Sequence, residues 1–153
     1  MGALRSRVLF TMRVFVHPRH ELRTTPHGQR CILPVAGGDF DGERLRGTIL
    51  PDGGADWLLI RADGAFQQDV RMTLQTDDGA LIGMRYSGVR HGPPDVNARL
   101  SRGEHVEPGE YYLRTTPYFE TGDERYAWMN RIVTVGVGER LPNGADYTVY
   151  EVL

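Results

Sequence analysis

The chain has 153 residues, 40% of them hydrophobic, with 19 glycines, one cysteine and a formal net charge of −2. Its 18 basic residues are all arginine and are matched by 20 acidic ones, so no basic stripe marks a nucleic-acid partner. The lone Cys31 excludes an internal disulfide, and no apolar run approaches the roughly 20 residues of a membrane helix.

Together these features predict a cytoplasmic protein, with one domain over residues 1–153 and no membrane partner. The N-terminal stretch is interrupted by Arg5, Arg7 and Arg13 and lacks the apolar centre of a signal peptide. A glycine-rich chain with regular turn signals favours β structure.

Arg7 to His17 alternates, with Phe10, Met12 and Val14 sharing a face, and is predicted as a strand ended by Pro18. His20 to Gln29 is polar and reads as a loop. Gln29 to Ala36 is a second strand, in which Pro34 suggests an edge or a bulge and Cys31 is a small buried apolar residue. Gly37-Gly38-Asp39 turns the chain, Phe40 to Glu43 is irregular, and Arg44 to Leu50 is a third strand.

From Ala55 to Arg90, three strand-like runs are joined by Asp63-Gly64 and Asp78-Gly79. Both residues of Asp-Gly accept positive φ cheaply, so this stretch is an antiparallel meander. Its middle strand sets Val70, Met72, Leu74 and Thr76 against Asp69, Arg71, Thr73 and Gln75.

Pro94 to Gly103 is the one short helix, with Val96 and Leu100 on its buried side. Glu110 to Thr116 is a strand stopped by Pro117. Tyr126 to Gly138 is the longest late strand, Glu139 to Gly144 a turn, and Tyr147 to Val152 the last strand. About nine antiparallel strands with patterned ends predict an all-β fold. The expected form is a closed or nearly closed barrel, with the helix across one end.

No phosphate loop, nucleophile elbow or metal-ligand spacing occurs, so no cofactor and no metal is expected. Polar and aromatic residues spaced by two along strands are the candidates. Tyr126, Trp128 and Asn130 share a face, as do Trp57 and Arg61, and Tyr112 and Arg114. Facing inward, they would form a wall for a planar organic ligand. Arg114 would hold an oxyanion, and Asp56, Asp69 or His91 would move a proton. Each also has an ordinary reading: core or cross-strand aromatics, a turn cap at Asp56, a solvated His91.

Gly53-Gly54-Ala55-Asp56-Trp57, Thr73 to Ala80, Arg90-His91-Gly92-Pro93-Pro94, Tyr111 to Pro117, Phe119-Glu120-Thr121-Gly122 and Tyr126 to Asn130 are ordered blocks. In them the chain resembles the bacterial and fungal "domain of unknown function 3237" family, from about Leu9 to Val152. The resemblance implies a small β-barrel and brings no settled activity. Gly83 and Ser87 depart from the pattern, a change expected to reshape a pocket near Tyr86.

The resulting expectation is a barrel that binds a small apolar or aromatic compound. It would act as a cofactor-independent isomerase, cyclase, dehydratase or lyase. The alternatives are a non-catalytic carrier and a homo-oligomeric interaction module.

Overall fold

The computed structural model describes residues 2–153. In chain order the strands are β1 (Ser6–Val16), β2 (His20–Thr25), β3 (Gly28–Asp41), β4 (Arg46–Ile49), β5 (Ala55–Ile60), β6 (Phe66–Thr76) and β7 (Leu81–His91). Helix α1 (Pro94–Ser101) follows, then β8 (Tyr112–Glu120), β9 (Thr134–Leu141) and β10 (Gly144–Val152). Short 3₁₀ segments lie at Pro108–Glu110 and Glu124–Arg131.

Every recorded strand pair is antiparallel, in the order β1-β10-β9-β8-β7-β6-β4-β3, and β1 pairs back onto β3 to close the ring. β4 and β5 share one position between β3 and β6, and β2 is a flap on the outer edge of β3. β3 reaches all of these partners because its 14 residues serve β2 and β5 along residues 28–34 and β1 and β4 from Val35 onward. Gly38 has φ near +151°, and a Cβ there would lie 2.0 Å from the Arg13 carbonyl oxygen. No helix among the described residues is long and apolar enough to cross a membrane.

The all-β barrel and the meander stand as expected. Gly64 and Gly79 take the positive φ that their turns demand. Helix α1 buries Val96 and Leu100 as its spacing predicts.

Several local expectations change. The turn read at Gly37-Gly38-Asp39 lies inside β3, and the one read at Glu139 to Gly144 shrinks to Pro142-Asn143 between β9 and β10. Tyr126 to Arg131 is 3₁₀ rather than strand. Asp123 accepts the Arg125 N–H at its start, and the Asn130 amide bonds both the N–H and the C=O of Thr121, drawing the segment into a compact turn. β8 runs through Pro117, because its recorded pairing with β9 spans only Arg114 and Thr115 and no ladder N–H is needed beyond them. His20–Thr25 is the flap strand, whose largely exposed side chains hide any alternation. Phe40 and Asp41 complete β3, with Phe40 in the core.

That core fills one half of the barrel. Phe10 meets Phe40 at 5.4 Å and Phe119 at 5.9 Å between ring centroids, among Ile49, Leu74 and Ile82. Phe10 has no exposed surface. Phe10→Ala is therefore expected to lower unfolding free energy by about 3–5 kcal/mol in urea denaturation. A loss below about 1 kcal/mol would mean that this aromatic cluster does not anchor the fold.

Candidate functional site

In the other half of the barrel the inward side chains leave a cavity of about 570 Å³, within the roughly 300–1,000 Å³ of small-molecule sites. The α1 end at Leu100–Gly103, the His17-Pro18-Arg19 turn and the Pro142-Asn143 turn border it. Strand parity chooses its lining. β6 directs Phe66, Gln68, Val70 and Met72 inward, β7 Tyr86 and Arg90, and β5 Asp56 and Leu58. Arg140 comes from β9, and Ala145 and Tyr147 from β10. Glycines make room for the large members. A Cβ on Gly138 would lie 2.6 Å from the Tyr147 ring, and one on Gly88 would lie 2.2 Å from Oε1 of Gln68.

Asp56, Val70 and Tyr86 are cross-strand partners in one row. Oδ1 of Asp56 accepts the Asp69 backbone N–H at 3.1 Å. Burial pushes its carboxyl up from 3.8 to about 6; the Asp69 charge adds to this, while the Asp69 N–H bond and Arg30 oppose it. Tyr86 and Tyr147 are buried, their ring centroids 5.7 Å apart. Burial raises both phenols, Tyr147 to about 12, so both stay protonated at neutral pH. Nε2 of Gln68 donates to the Tyr147 oxygen at 3.0 Å, which leaves the Tyr147 proton free to donate elsewhere.

A second row pairs Phe66 with Arg90. The Arg90 guanidinium lies 4.0 Å above the Phe66 ring. Burial and then the charge of Arg140 lower it to about 10, still protonated at neutral pH. Nη1 of Arg90 and Oε1 of Gln68 are buried without hydrogen-bond partners. Arg140 spends Nη1 on the carbonyls of Leu141 and Gly144, and its backbone N–H donates to the Tyr111 hydroxyl at 2.7 Å.

Of the residues singled out in the sequence, Asp56 and Tyr86 line this cavity and the others do not. Trp57 and Arg61 have the opposite parity to Asp56; Trp57 is half exposed and Arg61 pairs with Asp63. Asp69 faces outward and contributes only its backbone. His91 and Tyr112 are exposed and stack on each other at 5.1 Å, and Arg114 lies over the same Tyr112 ring.

Tyr126 donates to the Asp78 carboxylate, Trp128 lies 4.0 Å beneath the Arg44 guanidinium, and Asn130 holds Thr121. The 3₁₀ segment keeps all three out of the cavity lining, with Tyr126 and Trp128 packed against the core. Gly83 and Ser87 are exposed, one parity away from Tyr86, so they do not reshape the cavity. Gln68, Arg90, Arg140 and Tyr147 line the cavity without being among the sequence candidates. For Gln68, Arg90 and Tyr147 the signal is a polar or phenolic residue interrupting a largely apolar parity: Gln68 before Val70 and Met72, Arg90 after Met84 and Tyr86, Tyr147 between Ala145 and Val149.

A family model described as "Protein of unknown function (DUF3237)" matches residues 5–152. A UPF0311 protein of Rhodopseudomonas palustris is 37% identical over 126 residues, covering 82% of both chains. The crystal structure of a conserved protein of unknown function from the same organism superimposes with a TM-score of 0.95. The two are 33% identical over the full length of both. A Penicillium herquei protein described as an enzyme has the same fold, with a TM-score of 0.71 at 20% identity over both full chains.

The Asp56 carboxyl ties stability to pH. The folded form binds its proton more tightly than the unfolded chain, so the contribution of Asp56 is fully present below about pH 4 and is lost as pH rises through about 6. Asp56→Asn removes that dependence. Relative to the parent, the variant is expected to gain about 3 kcal/mol of unfolding free energy between pH 4 and pH 8, read by urea titration at each pH. Parallel pH profiles would show that the carboxyl is not titrating in a desolvated site.

Proposed function

We propose that this chain, which belongs to the DUF3237 family of unknown function, uses the open half of its barrel to bind a small, largely apolar organic molecule and to move a proton on it. The observation that carries this reading is Asp56, a buried carboxyl raised to about 6, in one row with Tyr86 and beside a cavity of about 570 Å³. A general base works best when it titrates near the working pH, and burial supplies that shift. Neutral phenols suit the complementary task. The Tyr147 proton, oriented by Gln68, can be given to a developing oxyanion such as an enolate or phenolate oxygen. Isomerisation, cyclisation, dehydration and lyase cleavage all need this pair of actions.

A carrier would be served by apolar groups and neutral donors alone. The titratable carboxyl beside the cavity favours catalysis over carriage. The open lumen likewise favours a small ligand over an interaction module, for which a filled barrel would suffice. The likeness to the Penicillium herquei enzyme supports the fold as one on which catalysis occurs and brings no substrate with it.

Incubating the protein with small molecules extracted from cells in deuterium oxide tests the reading. At least one compound is expected to gain deuterium or change mass with the parent protein, and Asp56→Asn is expected to slow that change about 10²–10⁴-fold. If no compound distinguishes the parent from Asp56→Asn, the proton-transfer role is lost.

A further inference from the structure

Nine of the 18 arginines have carboxylate partners among the described residues. Arg7 and Arg44 pair with Glu151, Arg13 with Asp146 and Arg99 with Glu110. The two arginines that lie deepest against the cavity differ. Among the described residues, neither Arg90 nor Arg140 forms an ion pair, and each feels the other's positive charge or that of Arg19. Partly burying two guanidinium groups without counter-ions is costly; the Arg140 bonds to the Leu141 and Gly144 carbonyls offset part of that cost, while Arg90 stacks on Phe66. Nη1 of Arg90 also lacks any hydrogen-bond partner. The chain carries a net charge of −2, so this concentration of positive charge is local to the cavity.

The strand ladder then sets the length of the site. Arg90 pairs with Phe66, and Asp56 pairs with Val70. Phe66 and Val70 are separated by four residues of β6, about 13 Å of strand. The positive end, beside Phe66, and the Asp56 end, beside Val70, are therefore distinct, with Gln68 and Leu58 between them.

Building on the small-molecule reading above, we infer that the cavity is shaped for an amphipathic organic anion. Its anionic oxygens meet Arg90 and Arg140, and its apolar body extends along β6 toward Asp56. The charged head is a binding handle, separate from the atom at which the proton moves. Neutral compounds of the same shape are discriminated against, because they leave both guanidinium groups partly buried without a counter-ion.

Two fluorescent dyes with the same body make the test: 1-anilinonaphthalene-8-sulfonate, which carries an anionic head, and N-phenyl-1-naphthylamine, which does not. The parent protein is expected to bind the sulfonate one-to-one and at least about tenfold more tightly than the neutral dye, the gain of one charge-assisted hydrogen bond. Arg90→Met and Arg140→Met are each expected to remove most of that advantage and leave the neutral dye's affinity unchanged. Arg90→Met should keep or raise the melting temperature, which an arginine serving structure would lower. Equal affinity of the parent for both dyes overturns the anion inference and leaves the cavity reading standing. If neither dye binds, the cavity reading falls and the inference with it. Sulfonate binding that survives both substitutions also overturns the inference, because the dye would then sit elsewhere.

Discussion

Closure of the ring by β1, which pairs with β10 on one side and β3 on the other, is the constraint from which the rest follows. A closed antiparallel ring leaves each strand one set of alternate residues for the lumen. A residue can change sides only through a bulge or a register slip. β1 shows such a bulge between Val8 and Phe10, which leaves Val8 exposed while both Leu9 and Phe10 are buried. Elsewhere the register is unbroken through the middle of β6 and β7. The row of Asp56, Val70 and Tyr86 and the row of Phe66 and Arg90 are therefore fixed parts of the scaffold rather than features of mobile loops.

The two halves of the lumen do different work. The half around Phe10, Phe40 and Phe119 is closely packed and apolar and supplies the stability. The half around Asp56 and Tyr147 holds ionisable groups that cost stability and an open volume that forfeits packing contacts. Gly88 and Gly138 show how closely that half is fitted around its polar members: a methyl at either would collide with Gln68 or Tyr147. Such local breaks with the rules of a stable core are what a binding or catalytic site requires, and here they are confined to one end.

Much of the fold is legible in the sequence because two signals reinforce each other from Ala55 to Arg90: alternation along the strands, and Asp-Gly turns between them. Where only one signal is present, the reading slips. The Tyr126 to Asn130 stretch has aromatic residues at spacing two but is bent by side-chain bonds from Asp123 and Asn130, partners that no local pattern displays. β2 has no buried parity to betray it. The site is half legible. Asp56 sits on the same parity as Leu58, but its outward neighbours Trp57 and Asp69 have equally suggestive chemistry. Arg90, Gln68 and Tyr147 carry the clearer sign, a polar or phenolic group on an otherwise largely apolar parity, whereas Arg140 follows Thr134, Gly136 and Gly138 and carries none. Recognising Arg140 and Tyr147 further depends on Gly138, whose missing side chain matters only once β9 and β10 are paired.

Everything proposed for the site depends on Asp56 being a desolvated carboxyl at the wall of an open lumen. The most direct measurement is the ¹³C NMR titration of its side-chain carboxyl in the folded protein. A midpoint at about 6 is the result the structure predicts. A midpoint near the ordinary 3.8 would mean that the carboxyl is solvated or paired and would contradict its role as the proton acceptor.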